Sequence, residues 1–87
     1  MLGLISGILN FDDGSALHFI EFVNISLLDV KLMYSYHYQD VGSNLIFRYD
    51  NAAHKPALSQ VEHKHLPSGI ELKQAPALAE VIDEILD

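Results

Sequence analysis

Two histidines stand two residues apart in the hexapeptide EHKHLP at 62–67, in a chain that has five histidines among its 87 residues. Imidazole titrates near neutral pH, so a histidine can serve as a general acid, a general base or a metal ligand. In an extended segment, residues two apart point to the same side, and the residue between them points to the other. The spacing therefore predicts that His63 and His65 share one surface and that Lys64 faces away from it.

Other groups suited to acid/base chemistry precede this pair. A general base, a general acid and a cation that stabilises developing charge can together cleave a phosphodiester, and a carboxylate can orient an imidazole. The sequences YHYQ, FRYD and NAAH supply an imidazole, a guanidinium with a carboxylate, and a further imidazole. The candidate catalytic residues of a metal-independent site are therefore His37, Arg48, Asp50, His54, His63 and His65.

The same residues allow a metal-binding interpretation. His63 and His65 with a third ligand from His54, His37 or Asp50 would form an open metal site. An H-x-H spacing alone is a weak signal, so no cofactor is favoured and the metal site stays an alternative.

A purely structural role is the third interpretation. Asp50 and Asn51 can hold turns through their side chains, and Arg48 can pair with Asp50 or Glu62. In that case the polar cluster would anchor a loop to the body of the protein without reacting with anything.

Composition limits the classes of function. The formal net charge is −7, from twelve acidic and five basic residues, which argues against a broad nucleic-acid-coating surface but allows a local positive site. The chain has no cysteine, which excludes disulfides and thiolate chemistry. No apolar run approaches the ~20 residues of a membrane span, and no basic residue heads the apolar start. We expect a soluble, cytoplasmic protein with no membrane partner.

The first half alternates between apolar and polar residues and breaks at turn residues, which is typical of antiparallel strands. A long segment with no clear hydrophobic periodicity follows. After it, the apolar residues that come after Pro76 have helical spacing. The predicted elements of this single domain, residues 1–87, are strands at 4–11, 16–25, 30–39, 45–50 and, as a short fifth strand, 70–72, a long loop at 51–68 and a helix at 76–86.

The predicted turns bring the candidate residues together. If Gly42-Ser43 is a two-residue turn, His37 faces Arg48 and Ser35 faces Asp50 on the neighbouring strand. A four-residue turn at 26–29 would place His18 opposite His37. A slip of one residue in either turn would exchange the two faces of the sheet and dissolve the cluster.

These observations predict an α+β fold. We expect one curved antiparallel meander of four to five strands, with the C-terminal amphipathic helix packed on one face. That face carries the aromatic side chains, and the other carries His18, His37, Arg48 and Asp50. An exposed edge strand and a small core also favour a homodimer.

The run YSYHYQD…NLIFRYDNAAH, followed by HKHLPSG and the proline-started PALAEVIDEI, resembles the small TumE-like proteins, which are toxins of toxin–antitoxin modules. The resemblance extends from about Gly7 to the end of the chain. Family members have two adjacent histidines where this chain has His54-Lys55, so one histidine of that pair is replaced here. The resemblance implies a toxin with a cognate antitoxin protein as its partner.

Three interpretations of the function follow. With the candidate residues, the resemblance favours a toxin that acts on RNA by metal-independent acid/base chemistry, in the manner of an endoribonuclease. The alternatives are a non-catalytic protein-interaction module, supported by the acidic composition, and a histidine-based metal-binding protein.

Overall fold

The computed structural model describes residues 2–24, 30–51 and 62–87, and within them the chain forms an antiparallel sheet followed by one helix. The sheet has six strands in sequence order, each paired with the next. The strands are β1 (Leu2–Asn10), β2 (Ala16–Asn24), β3 (Val30–Gln39), β4 (Leu45–Asp50), β5 (His63–Leu66) and β6 (Gly69–Leu72), and the helix is α1 (Leu78–Leu86). The α+β class is confirmed, whereas the predicted count of four to five strands is wrong.

The additional strand lies in the segment that the sequence predicted as a long loop at 51–68. β5 reads HKHL and has no apolar alternation, so nothing in its pattern indicates a strand. It pairs with β4 on one side and with β6 on the other, and Lys64 lies opposite Tyr49. β6 is the predicted short fifth strand, extended by Gly69. Residues 52–61 of the predicted loop, with His54, lie outside the described residues.

The β3–β4 hairpin has the predicted pairing but a different turn. The turn runs from Asp40 to Ser43, because the Ser43 backbone N–H donates to the Asp40 carbonyl and the Asp40 N–H to the Asn44 carbonyl. Ser43 has a positive φ of 67°, and the register shifts at Tyr38. The two-residue turn at Gly42-Ser43 is therefore wrong. The shift compensates for the longer turn, so the predicted partners face each other in the rest of the hairpin.

The pairing of β2 with β3 also follows the prediction. His18 faces His37 and Phe19 faces Tyr36, with a register shift between Phe22 and Val23. The predicted turn at 26–29 lies outside the described residues.

One face of the sheet, here called the helix face, holds the hydrophobic core. Its buried side chains from β2, β3 and β4 meet Val81 of α1, around which other apolar side chains of the helix are partly buried. Burial of this apolar surface is the main driving force that holds a short helix on a sheet. The buried cluster comprises Leu17, Tyr34, Tyr36, Tyr38, Phe47, Tyr49 and Val81.

The helix begins at Leu78, two residues later than predicted. The Glu80 carboxylate accepts a hydrogen bond from the Ala77 backbone N–H at 2.9 Å, which satisfies one of the unpaired donors at the helix start. Further along, Glu84 accepts hydrogen bonds from the Tyr49 hydroxyl at 2.6 Å and from Lys64 Nζ at 2.8 Å. These contacts attach the acidic side of α1 to β4 and β5. Within the described residues, no helix is long and apolar enough to cross a membrane.

Candidate active site

The opposite side of the sheet, here called the histidine face, carries the predicted polar residues in two adjacent rows. In one row, His18 of β2 faces His37 of β3, which faces Arg48 of β4, which faces His65 of β5. Residues that face each other across neighbouring strands project their side chains from the same side of the sheet. Four consecutive strands therefore align three imidazoles and a guanidinium across the surface.

The second row supplies a carboxylate and a buried imidazole. Ser35 faces Asp50, and Asp50 faces His63. Asp50 is the centre of the cluster because three side chains reach its two oxygens. His63 Nε2 lies 2.7 Å from Oδ1, whereas Arg48 Nε and His65 Nε2 lie 2.9 and 3.3 Å from Oδ2.

Exposure increases outward through this cluster. The His63 side chain is fully buried and that of Asp50 is 5% exposed, while His65 is 17% and Arg48 41% exposed. The His63 and His65 rings meet edge to face, with centroids 4.6 Å apart. A buried carboxylate needs hydrogen-bonding partners, and these contacts supply them. Asp50 and His63 therefore form a buried support, and Arg48 is the most exposed group of the cluster. His65 is partly exposed, with its Nε2 atom buried against Asp50.

His37 lies on the other side of Arg48. Burial and the neighbouring Arg48 charge lower the pKa of His37 below its usual 6.5, and a hydrogen-bonding contact with Gln39 opposes them in part. His37 Nε2 lies 3.2 Å from Gln39 Oε1. At neutral pH, His37 is therefore mostly uncharged and can accept a proton.

Of the six predicted site residues, five lie together on the histidine face: His37, Arg48, Asp50, His63 and His65. His54 lies outside the described residues. Lys64 projects from the helix face, as its place between the two histidines predicts. Its Nζ lies 5.0 Å from the ring centroid of Phe47 and 4.9 Å from that of Tyr49.

The sequence did not predict how α1 would attach to the sheet. Lys64 and Glu84 are twenty positions apart in the chain and form an ion pair of 2.8 Å. The contact depends on β5, which places Lys64 beside α1. Because the sequence of β5 lacks the alternation of a strand, the contact was not predicted. On the helix face, Glu21 also accepts a hydrogen bond of 3.0 Å from the Tyr36 hydroxyl. Burial is the main cause that raises the pKa of Tyr36, and this hydrogen bond to Glu21 is the second.

The histidine face also contains a potential set of metal ligands. One ligand atom each of Asp50, His63 and His65 lies within 4.8 Å of the others, a combination of two imidazoles and a carboxylate that suits divalent transition metals. Arg48 Nε already donates to the same carboxylate at 2.9 Å, and its positive charge opposes a cation there. The donor types fit a metal, while the neighbouring charge favours the metal-free network.

Comparison with known proteins gives one result. A family model described as "Toxin TumE" matches residues 2–87. No curated protein and no solved structure matches the chain.

Proposed function

The chain belongs to the TumE toxin family, and on that basis we propose that it is the toxin of a toxin–antitoxin pair and acts by cleaving RNA with acid/base chemistry on the histidine face. The observation on which the chemical part of the proposal rests is the order of the row, in which Arg48 lies between His37 and His65. Neighbouring strands are about 4.8 Å apart, so the two imidazoles flank the guanidinium at a backbone separation of about 10 Å.

In the proposed reaction, uncharged His37 removes the proton from the 2′-hydroxyl of a ribose. The 2′-oxygen then attacks the adjacent phosphorus, and the Arg48 guanidinium stabilises the negative charge that develops on the phosphoryl oxygens. Protonated His65 gives its Nδ1 proton to the departing 5′-oxygen as the P–O bond breaks, because its Nε2 atom is buried against Asp50. The products are a 2′,3′-cyclic phosphate and a 5′-hydroxyl, with one proton taken up and one released.

Asp50 and His63 act as positioning residues in this scheme. The Asp50 carboxylate lies 3.3 Å from His65 Nε2 and so orients the imidazole ring. It also accepts the Arg48 Nε–H at 2.9 Å and so directs the remaining guanidinium donors away from the buried cluster. His63 holds the other carboxylate oxygen, at 2.7 Å.

The test uses purified protein, a labelled single-stranded RNA and excess EDTA. We expect cleavage that leaves 2′,3′-cyclic phosphate ends, detected by mass spectrometry. Arg48→Ala and His65→Ala should each lower kcat by about 10²-fold or more, the usual size for a lost charge-stabilising or proton-transfer group. Lys73→Ala removes another exposed basic residue outside the row and serves as the matched control. Cleavage that survives both site variants would contradict the proposal.

The metal alternative has a separate observation, the ligand set of Asp50, His63 and His65. Metal analysis of the purified protein and titration with zinc, nickel or manganese test it directly. Stoichiometric metal that is lost in His63→Ala, together with cleavage abolished by EDTA, would favour metal-dependent chemistry.

The antitoxin partner follows from the toxin family and is tested in cells. Growth arrest on induction should be relieved by co-expression of the protein encoded beside this chain. Arrest that persists in Arg48→Ala and His65→Ala together would favour the third possibility, an interaction module that acts by binding a protein without catalysis.

A further inference from the structure

A second feature of the histidine face overlaps the row at His18 and His37, and its His18 side is not used by the proposed reaction. A cavity of about 400 Å³ opens beside His18 and His37 and is lined in addition by Ser6, Ile8, Ile20 and Ser35. The His18 and His37 rings stand nearly perpendicular, with centroids 6.2 Å apart. Planar rings, apolar side chains and two hydroxyl groups line one shallow, open depression, a mixture suited to recognition of a flat polar ring.

This cavity adjoins a second one at the Arg48 end of the row. A smaller cavity of about 220 Å³ is lined by Arg48, Asp50 and Met33 and shares Ile20 and Ser35 with the first. A molecule bound beside His18 can therefore extend over Ile20 and Ser35 toward the guanidinium. The two adjoining cavities offer one end suited to a ring and one cationic end, which matches the base and the phosphate of a nucleotide.

The charge of the chain limits how RNA can be held. With five basic residues against twelve acidic ones, affinity from many phosphate contacts is not available. Stacking of bases on aromatic side chains is the other main source of affinity for single strands and does not require a basic surface. In the row of the histidine face, Arg48 is the one cation that is permanently charged.

We propose that the cavity beside His18 is a nucleobase-binding subsite, which holds one unpaired base of single-stranded RNA next to the phosphate at Arg48. The subsite rests on the proposed ribonuclease function and adds its substrate class: an unpaired strand, held by one base and one phosphate. His18 contacts the base and takes no part in proton transfer. Duplex RNA is excluded because its bases are stacked and paired.

The experiment measures cleavage kinetics and, independently, binding of a 2′-O-methylated single-stranded RNA octamer that cannot be cleaved. His18→Ala should raise KM about tenfold with kcat within about twofold, the effect of losing one stacking contact, and His18→Phe should restore KM. Ser6→Phe, which fills the cavity, should raise KM similarly. Ser68→Phe places the same ring on the exposed β5–β6 turn and should change nothing. Circular dichroism confirms folding of each variant.

The salt dependence gives a second criterion. For a single phosphate contact, the logarithm of the octamer affinity should fall with the logarithm of salt concentration with a slope of about −0.7. A slope steeper than about −2 would overturn the proposal, because it requires several phosphate contacts.

The outcomes separate the subsite from the ribonuclease. If the protein cleaves RNA but His18→Ala and Ser6→Phe leave KM unchanged, the subsite is wrong and the ribonuclease stands. If there is no cleavage but the octamer binds and both variants weaken it, the subsite stands and the ribonuclease is wrong. Failure of the octamer to bind the wild-type protein overturns the subsite.

Discussion

The Asp50 carboxylate is the most constrained polar group of the candidate site. It is almost completely buried and lies within 3.3 Å of nitrogen atoms from Arg48, His63 and His65. In a site of low dielectric constant, such a group stabilises the folded state while its partners are in place and destabilises it when they are removed. Stability and activity should therefore respond differently to its two kinds of partner.

Asp50→Asn should lower the free energy of unfolding by about 2 kcal/mol, because buried His63 loses a hydrogen bond to a charged acceptor. Arg48→Ala should lower it by less than about 1 kcal/mol, since the guanidinium is 41% exposed and its ion pair is screened by water. Urea denaturation measures both. Equal losses of unfolding free energy in the two variants would contradict the conclusion that Asp50 and His63 form a buried support while Arg48 is exposed.

His37 should titrate below pH 6.5, because burial and the Arg48 charge lower its pKa. In Arg48→Ala, one of these causes is removed and the pKa should move up toward 6.5. NMR titration of the imidazole C–H signals measures it without any substrate. A His37 pKa above 6.5 in the wild-type protein would contradict the assignment of His37 as the base.

The same shift has a consequence for stability. Between the lowered pKa and 6.5, the unfolded chain binds more protons at this histidine than the folded chain does. The contribution of His37 to stability therefore falls as the pH drops from 6.5 through the folded-state pKa. His37→Gln should remove this loss of stability at acidic pH.

At the scale of elements, Glu84 should be important for docking of α1. Burial would raise the pKa of this carboxyl, but the hydrogen bonds from Lys64 and Tyr49 outweigh it, so the pKa is lowered from 4.5. A lowered carboxyl pKa stabilises the fold above pH 4.5, and this stabilisation is lost as the pH falls through the folded-state value.

Glu84→Gln should therefore reduce stability at pH 7 by up to about 1 kcal/mol, since the side chain is partly exposed, and should have a smaller effect in acid. Asp83→Asn changes the neighbouring exposed carboxylate of α1 and should have little effect at either pH. Urea denaturation at pH 7 and pH 3 compares the two variants, and equal effects would argue against the Glu84 contacts.

The turns of the β1–β2 and β3–β4 hairpins each contain a residue with positive φ, Gly14 at 86° and Ser43 at 67°. Glycine adopts this conformation without strain, whereas serine does so at a cost. Gly14→Ala should destabilise the protein by about 1–3 kcal/mol, because its Cβ would also lie 2.7 Å from Val41 Cγ2. Ser43→Gly should stabilise it by up to about 1 kcal/mol. Thermal denaturation tests both signs.

How far the sequence predicts each element depends on the strength of its local pattern. β2, β3 and β4 alternate clearly, and the aromatic residues on one side indicate which face is buried. The pairing of His37 with Arg48 was also predicted, but from a two-residue turn that the structure does not have, and the register shift at Tyr38 compensates for the difference. The strand β5 was not predicted, because the sequence HKHL forms a strand only through its neighbours on both sides. Lys64 lies over aromatic rings on one face of the sheet, and His63 contacts Asp50 on the other. Tertiary contacts overrode a weak local preference.

At the scale of the whole molecule, β1 is the longer of the two edge strands among the residues that the structure describes. Among the described strands, β1 pairs with β2 alone, and its sequence LGLISGILN contains no charged residue and no proline. Leu4, Ile5 and Ile8 are each more than half exposed. Such an edge presents unpaired backbone groups beside apolar side chains and tends to pair with a second chain. The opposite edge, β6, has only four residues and includes Glu71.

We therefore expect concentration-dependent self-association through β1, which would realise the homodimer predicted from the sequence. Ile5→Lys should shift the protein toward the monomer, because a charge on an edge strand opposes pairing with another strand. Ile70→Lys makes the same substitution on β6 and should leave the association unchanged. Sedimentation velocity over a concentration series measures both. If the wild-type protein stays monomeric throughout, or if Ile70→Lys has the larger effect, β1 is not the edge that associates.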